Sequence, residues 1–262
     1  MMQRARRRAV GSAVAMAGLP LLAFAMAPPA LAAAPGPVPK VEGVYFSGAW
    51  EDPVPPEVLR PAGSPPAPRI VPDPPLNDAA RAEMAARRQR QQQEAPAGLT
   101  GGAACIPGGF PGMMGPVFPL EVLQSPGQVT IIAEAFSQVR RIYLNEKQIA
   151  VEDAEPLFWG HSVGRWEGNT LLVNTIGLKE DVRMSGVPHS PQMRIDERIT
   201  VTSPDSWEDQ ITVTDPVYLT GPWTWTYKYV RRKDYKINEY VCEDNRLYLD
   251  PETGRQRLRL GQ

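Results

Sequence analysis

The stretch Gly160-His161-Ser162-Val163-Gly164-Arg165-Trp166-Glu167-Gly168-Asn169-Thr170-Leu171-Leu172-Val173-Asn174-Thr175 decides the fold. Gly168 or Asn169 can take the positive φ of a tight hairpin turn, with a strand on either side. Side chains alternate across a strand, so His161, Val163 and Arg165 share one face and Ser162, Gly164 and Trp166 the other. Gly160 to Gly164 also match the letters G-x-S-x-G of a nucleophile elbow. That motif needs a turn from strand into helix, and here a hairpin strand follows, so no serine-nucleophile chemistry is read from it.

Outward from this hairpin the same texture repeats. Leu120–Gln124, Gln128–Ala135, Gln138–Leu144, Met193–Val201, Trp207–Val213 and Trp223–Val230 are short, rich in β-branched and aromatic residues, and roughly alternating. Turn chemistry separates them at Ser125-Pro126-Gly127, Asn145-Glu146-Lys147 and Ser203-Pro204-Asp205-Ser206. Strands at hairpin spacing, without helices between them, exclude βαβ architecture and predict an all-β antiparallel barrel or sandwich. Val41–Phe46 reads as one more strand that closes or extends the sheet, with Trp50 just beyond it.

Upstream the texture differs. Arg4, Arg6, Arg7 and Arg8 precede an apolar run from Ala9 to Ala27, and Ala30 and Ala32 suit the −3 and −1 positions of a signal-peptidase site. A membrane anchor is the competing reading, but Pro20, Pro28 and Pro29 favour cleavage, hence a periplasmic or secreted protein without a stable membrane span. The arginines leave the general and twin-arginine export routes both open. Residues 33–76 form a Pro-rich arm, either a linker or a surface-hugging strap, in which fixed φ and missing N–H donors exclude regular helix. Asn77–Gln93 is the one convincing helix, capped by Asn77, with a thin alanine face suited to the surface. The expected order is therefore signal peptide 1–32, arm 33–76, helix and linker 77–104, β-rich domain 105–249 and C-terminal tail 250–262.

The 262 residues include 28 basic and 29 acidic side chains, for a formal charge of −1. Removing 1–32 takes four arginines and no acids, leaving 24 against 29, or −5. A mildly acidic mature chain argues against nucleic acid as a partner. The two histidines and two cysteines show no zinc spacing, so no metal or cofactor is expected. Cys105 and Cys242 bracket the strand-rich region and should pair in an oxidising compartment, the alternative being two buried thiols.

Chemistry has few candidates. His161 and Arg165, on a common face, suit an acid/base and an anion-binding group if that face lines a cavity, and a plain polar face if it meets solvent. His189, on a loop after Gly186-Val187-Pro188, is the second candidate base. With Asp181, Asp196 or Glu197 the histidines could hold a metal, though no local spacing enforces it. Glu197, turned opposite to Asp196 and Arg198, needs a partner such as Arg140, Arg141 or Arg165 if it points inward. Trp223, Trp225, Tyr227 and Tyr229 form one aromatic face, either core or a stacking wall for a ligand.

These segments, together with Gln124-Ser125-Pro126-Gly127-Gln128-Val129-Thr130, Val139–Tyr143, Pro188-His189-Ser190, Asp196-Glu197-Arg198, Thr214-Asp215-Pro216, Pro222-Trp223-Thr224 and Glu239-Tyr240-Val241-Cys242-Glu243-Asp244-Asn245, resemble a large group of exported bacterial proteins of uncharacterised function. Gly43-Val44-Tyr45 is similar to the group's G-x-W first strand. The resemblance implies a lipocalin-like or related all-β fold over about Cys105 to Asn245. His161, His189, Glu197 and Asp215 stand as in the group. Asn169 and Asn174 replace its common Asp, and Arg165 a frequent His, which thins any shared acid/base or metal cluster. The leading expectation is a protein binding a small, partly hydrophobic ligand in a barrel cavity lined by Arg140, Arg165, Trp223, Trp225 and Tyr227. The alternatives are a cofactor-free lyase or isomerase using His161 or His189, with Glu197 in the site, and an envelope interaction module working through the arm.

Overall fold

The computed structural model describes residues 39–47, 71–94, 105–115, 118–180, 182, 184, 186–242, 247–249 and 256–258. The signal-peptide reading, most of the arm, Trp50 and Asp181 fall outside the described residues. Nine strands close into a barrel: β1 (Gly43–Ser47), β2 (Leu120–Ser125), β3 (Gln128–Ala133), β4 (Gln138–Leu144), β5 (His161–Glu167), β6 (Thr170–Ile176), β7 (Arg194–Ser203), β8 (Ser206–Thr214) and β9 (Trp223–Arg231). Of the two all-β architectures the chain takes the barrel. Closure rests on β1, which pairs Val44 with Glu121 of β2 and Phe46 with Val230 of β9. A strand from the stretch read as arm thus removes the sheet's two free edges, and the barrel begins well before Cys105.

Every neighbouring pair runs antiparallel except β4 and β5, which are parallel with Tyr143 opposite Val163. Parallel strands need a crossover, and residues 145–160 supply it. Gln148 pins that crossover: its Nε2 donates to the His161 carbonyl at 3.2 Å and to Asn174 Oδ1 at 3.1 Å. The hairpin between β5 and β6 has the expected register, with Trp166 opposite Leu171 and Glu167 opposite Thr170. Gly168 takes φ 62°. A further pair, β10 (Leu247–Leu249) with β11 (Gln256–Leu258), forms a small separate sheet, so the segment read as a tail holds a strand.

Period-two alternation sets the interior. Ile195, Glu197 and Ile199 of β7, Trp207, Asp209, Ile211 and Val213 of β8, and Trp223, Trp225, Tyr227 and Tyr229 of β9 are all buried, while most of the side chains between them are partly or fully exposed. Trp207 stacks on Tyr229 at 3.9 Å between ring centroids and meets Tyr45 edge-on at 5.6 Å. The Gly/Pro/Met-rich connector is not a loose linker. Its Phe110, Met113 and Met114 belong to the core, and the Tyr229 hydroxyl donates to the Met114 carbonyl at 2.5 Å. Gly109 makes this possible at φ 69°, since a Cβ there would lie 2.5 Å from the Phe158 carbonyl oxygen.

Two further contacts bind the periphery. Cys105 and Cys242 form a disulfide across 137 residues, joining the connector to the segment after β9. Residues 71–77 lie along the loop before β9: the Trp223 indole donates to the Pro72 carbonyl at 2.8 Å and Thr220 N–H to the Pro75 carbonyl at 2.8 Å. Helix α1 (Asp78–Glu94) starts where Asn77 Oδ1 accepts the Ala80 N–H at 2.9 Å, an N-cap as its sequence requires. Among the described residues no helix is long and apolar enough to cross a membrane.

Candidate functional site

The candidate residues separate into three places. The first is the barrel interior. Arg140, from β4, and Glu197, from β7, have no exposed side-chain surface and form a two-pronged ion pair, Nη1 to Oε1 at 2.8 Å and Nη2 to Oε2 at 2.5 Å. The remaining guanidinium protons reach Ser162 Oγ at 3.1 Å and Thr175 Oγ1 at 3.0 Å, and the Phe110 ring lies 3.7 Å from its carbon. Each of its three nitrogens has at least one acceptor, as a buried charge demands. Ser162, the serine of the G-x-S-x-G letters, is therefore a strand residue that ligates Arg140. Trp223, Trp225 and Tyr227 face the same interior, and their rings pack on one another at 4.8 and 6.4 Å.

The second place is the outer face of β5, β6 and β7. Arg165 lies here, with 64% of its side chain exposed, paired to Glu167 at 2.8 Å. It does not line the interior. His161 also faces outward, its Nδ1 bonded to Gln148 Oε1 at 2.8 Å and its ring stacked on Tyr143 at 5.7 Å. The imidazole thus anchors the crossover. An open cleft of about 640 Å³ runs along this face, lined by Arg165, Asn174, Asp196 and Arg198 among others. Several of its polar groups are paired within the protein: Asn174 Nδ2 donates to Asp196 Oδ1 at 2.7 Å, and Arg165 holds Glu167.

The third place is built around His189. The loop between β6 and β7 carries it against the loop before β9, and the two together wall a cleft of about 610 Å³. Apolar lining comes from Leu178, Pro156 and Val217, and polar lining from His189, Ser190, Gln192 and Tyr218. Asp215 braces the loop: it accepts the Ser190 N–H at 2.6 Å, the Ser190 hydroxyl at 2.9 Å and the Val217 N–H at 2.9 Å. Helix α1 borders the cleft through Arg87, which pairs with Glu180 at 3.1 Å. His189 itself is 5% exposed, and its Nε2 has no hydrogen-bond partner in the protein. A backbone hydrogen bond to Val182 uses the other nitrogen as donor. Burial, reinforced by the charge of Arg87, lowers the pKa below the ordinary histidine value, against the opposing pull of Asp215 and Glu180. The ring is neutral near pH 7, and Nε2 presents a lone pair.

The structure does not bring the two histidines to one site, since His161 lines neither cleft. Among the described residues no group of His, Cys, Asp and Glu is placed to hold a metal ion. Sequence reasoning passed over Asp209, which alternates inward with Trp207 and Ile211 and was legible from that period. Gln192 and Tyr218 of the third cleft carried no local signal, because only the packing of two loops brings them to His189. No protein-family model matches this chain, and no curated protein matches it.

Proposed function

We propose that this barrel binds a small, partly apolar molecule carrying a hydroxyl or N–H group, in the cleft at His189 rather than inside the barrel. The observation that carries this reading is one buried imidazole, its Nε2 without a hydrogen-bond partner in the protein, among the residues that line a cleft of about 610 Å³. Such a nitrogen is costly to bury unless something donates to it, and an apolar cleft with a few convergent polar groups is the usual form of a ligand site. The barrel interior is lined by Trp207, Tyr45, Tyr229, Phe110, Met114 and the Arg140–Glu197 pair, all buried.

Phenol is a suitable first probe, since it combines one donor with an apolar ring. Saturation-transfer NMR should detect its binding, and methyl shifts at Leu178 and Val217 should report the place. His189→Ala should abolish the signal, and lowering the pH through the His189 titration should weaken it, because protonated Nε2 cannot accept. Phenol and related donors that fail to bind, or bind equally to His189→Ala, overturn the reading.

The same nitrogen favours one chemical extension, general-base catalysis in a cofactor-free lyase or isomerase. In that case turnover would rise with pH through the His189 titration, whereas a binding protein would show affinity alone changing. Export to an oxidising compartment is part of the same proposal and is supported by the Cys105–Cys242 disulfide.

A further inference from the structure

The barrel interior holds two carboxyl groups and one cation. Asp209 of β8 is fully buried, and neither of its oxygens has a hydrogen-bond partner that meets ordinary geometry. Glu197 lies one diagonal step away on the inner face, because Glu197 pairs with Ile211, two residues along from Asp209. Arg140 faces both, and its geometry favours Glu197: Nη1 and Nη2 each donate to that carboxylate, while Nε and Nη2 also reach Ser162 and Thr175. From β9, Tyr227 stands directly opposite Asp209, and Tyr229 follows on the same face with its hydroxyl already donated to Met114. Among the described residues, the charges that act on Asp209 are those of Glu197 and Arg140.

We propose that the interior of this barrel is a proton-binding site, in which Asp209 is held as a neutral carboxylic acid that shares its proton with the Glu197 carboxylate. A second carboxylate here would be a net negative charge in a closed apolar core, with Arg140 already neutralised. A protonated Asp209 removes that charge and has the Glu197 carboxylate as a neighbouring acceptor on the inner face. The direction agrees: burial first, then Glu197, raise the Asp209 pKa well above the ordinary aspartate value, with Arg140 opposing.

The sign follows from linkage. The folded chain keeps a proton that the unfolded chain releases above the ordinary aspartate value of 3.8. Stability is therefore full below that value and lost as pH rises through the folded titration. The barrel is held shut by its proton, and alkaline conditions loosen it.

Carbon-13 labelling of aspartate tests this on the intact protein. One aspartyl carboxyl carbon should retain the shift of the acid form at pH 7, and Asp209→Asn should delete that resonance. In urea titrations the wild-type midpoint should fall between pH 5 and pH 9, whereas Asp209→Asn should be flatter and at least as stable at pH 8. Glu197→Gln, which removes the shared anion, should move the acid-form resonance to a lower titration midpoint. The absence of any acid-form aspartyl carbon at pH 7 overturns the proposal, with no need for the variant to fold. An equal pH slope in Asp209→Asn, or an unmoved titration in Glu197→Gln, also overturns it. Phenol binding at the His189 cleft is unaffected by any of these outcomes, so the two readings fail separately.

Discussion

Two buried side chains, one inside the barrel and one in a loop, illustrate how the same cost has different consequences. Arg140 is charged, paired to Glu197 and bonded to Ser162 and Thr175, so its burial is structural. His189 is neutral and one acceptor is unmatched, so its burial leaves a chemical capacity open. Removing one partner of the ion pair strands the other. Arg140→Met or Glu197→Leu alone should therefore cost about 3–5 kcal/mol in urea unfolding, whereas the double variant should recover much of that loss. For His189 the folded pKa lies below the ordinary 6.5, so the unfolded chain takes the proton first as pH falls. Its contribution to stability is present above about pH 6.5 and lost in acid, and His189→Gln should shrink the drop in urea midpoint between pH 7 and pH 5. A histidine reading from sequence treats His161 and His189 alike. Gln148 and Tyr143 around the one, and the two-loop cleft around the other, separate them.

The elements outside the nine strands do more than link them. The connector around Phe110 reads from sequence as a Gly/Pro/Met-rich linker, but its apolar residues were the clue to its place, since Phe110 and Met114 are fully buried. Gly109→Ala should destabilise the protein by more than about 1 kcal/mol, because the added Cβ meets the Phe158 carbonyl and the φ is positive. Calorimetric melting of that variant is the check. Helix α1 is capped by Asn77 and tied to the loop before β9 by the same residue, whose Nδ2 donates to the Val217 carbonyl at 2.8 Å. Asn77→Ala should cost about 1 kcal/mol through the cap. Because Val217 lines the His189 cleft, it should also shift the resonances of that loop in an amide NMR spectrum. The helix was legible from its cap and its good formers. Its role at the cleft was not, because Arg87 meets Glu180 only across the fold.

At the scale of the whole molecule, closure and cross-linking decide stability. The disulfide spans 137 residues and joins the connector to the segment after β9, so Cys105→Ser with Cys242→Ser should lower stability by about 2–5 kcal/mol, measured by urea unfolding. The strands, their hairpins and the inward faces of β7, β8 and β9 follow from the chain alone, because period-two alternation and turn chemistry are local properties. The buried Glu197 and its need for an arginine follow as well, because an inward charge requires a countercharge wherever it sits. Which arginine answers was decided by the barrel: strand order placed Arg140 inside and Arg165 outside. The parallel step from β4 to β5 carries no signal in either strand, since pairing direction depends on the path of the crossover. Closure by β1 and the meeting of the two loops at His189 are likewise set by three-dimensional register. Local alternation therefore determined what each strand buries, and only the closed sheet determined which buried groups meet, because contacts between distant strands are a property of topology and not of any segment.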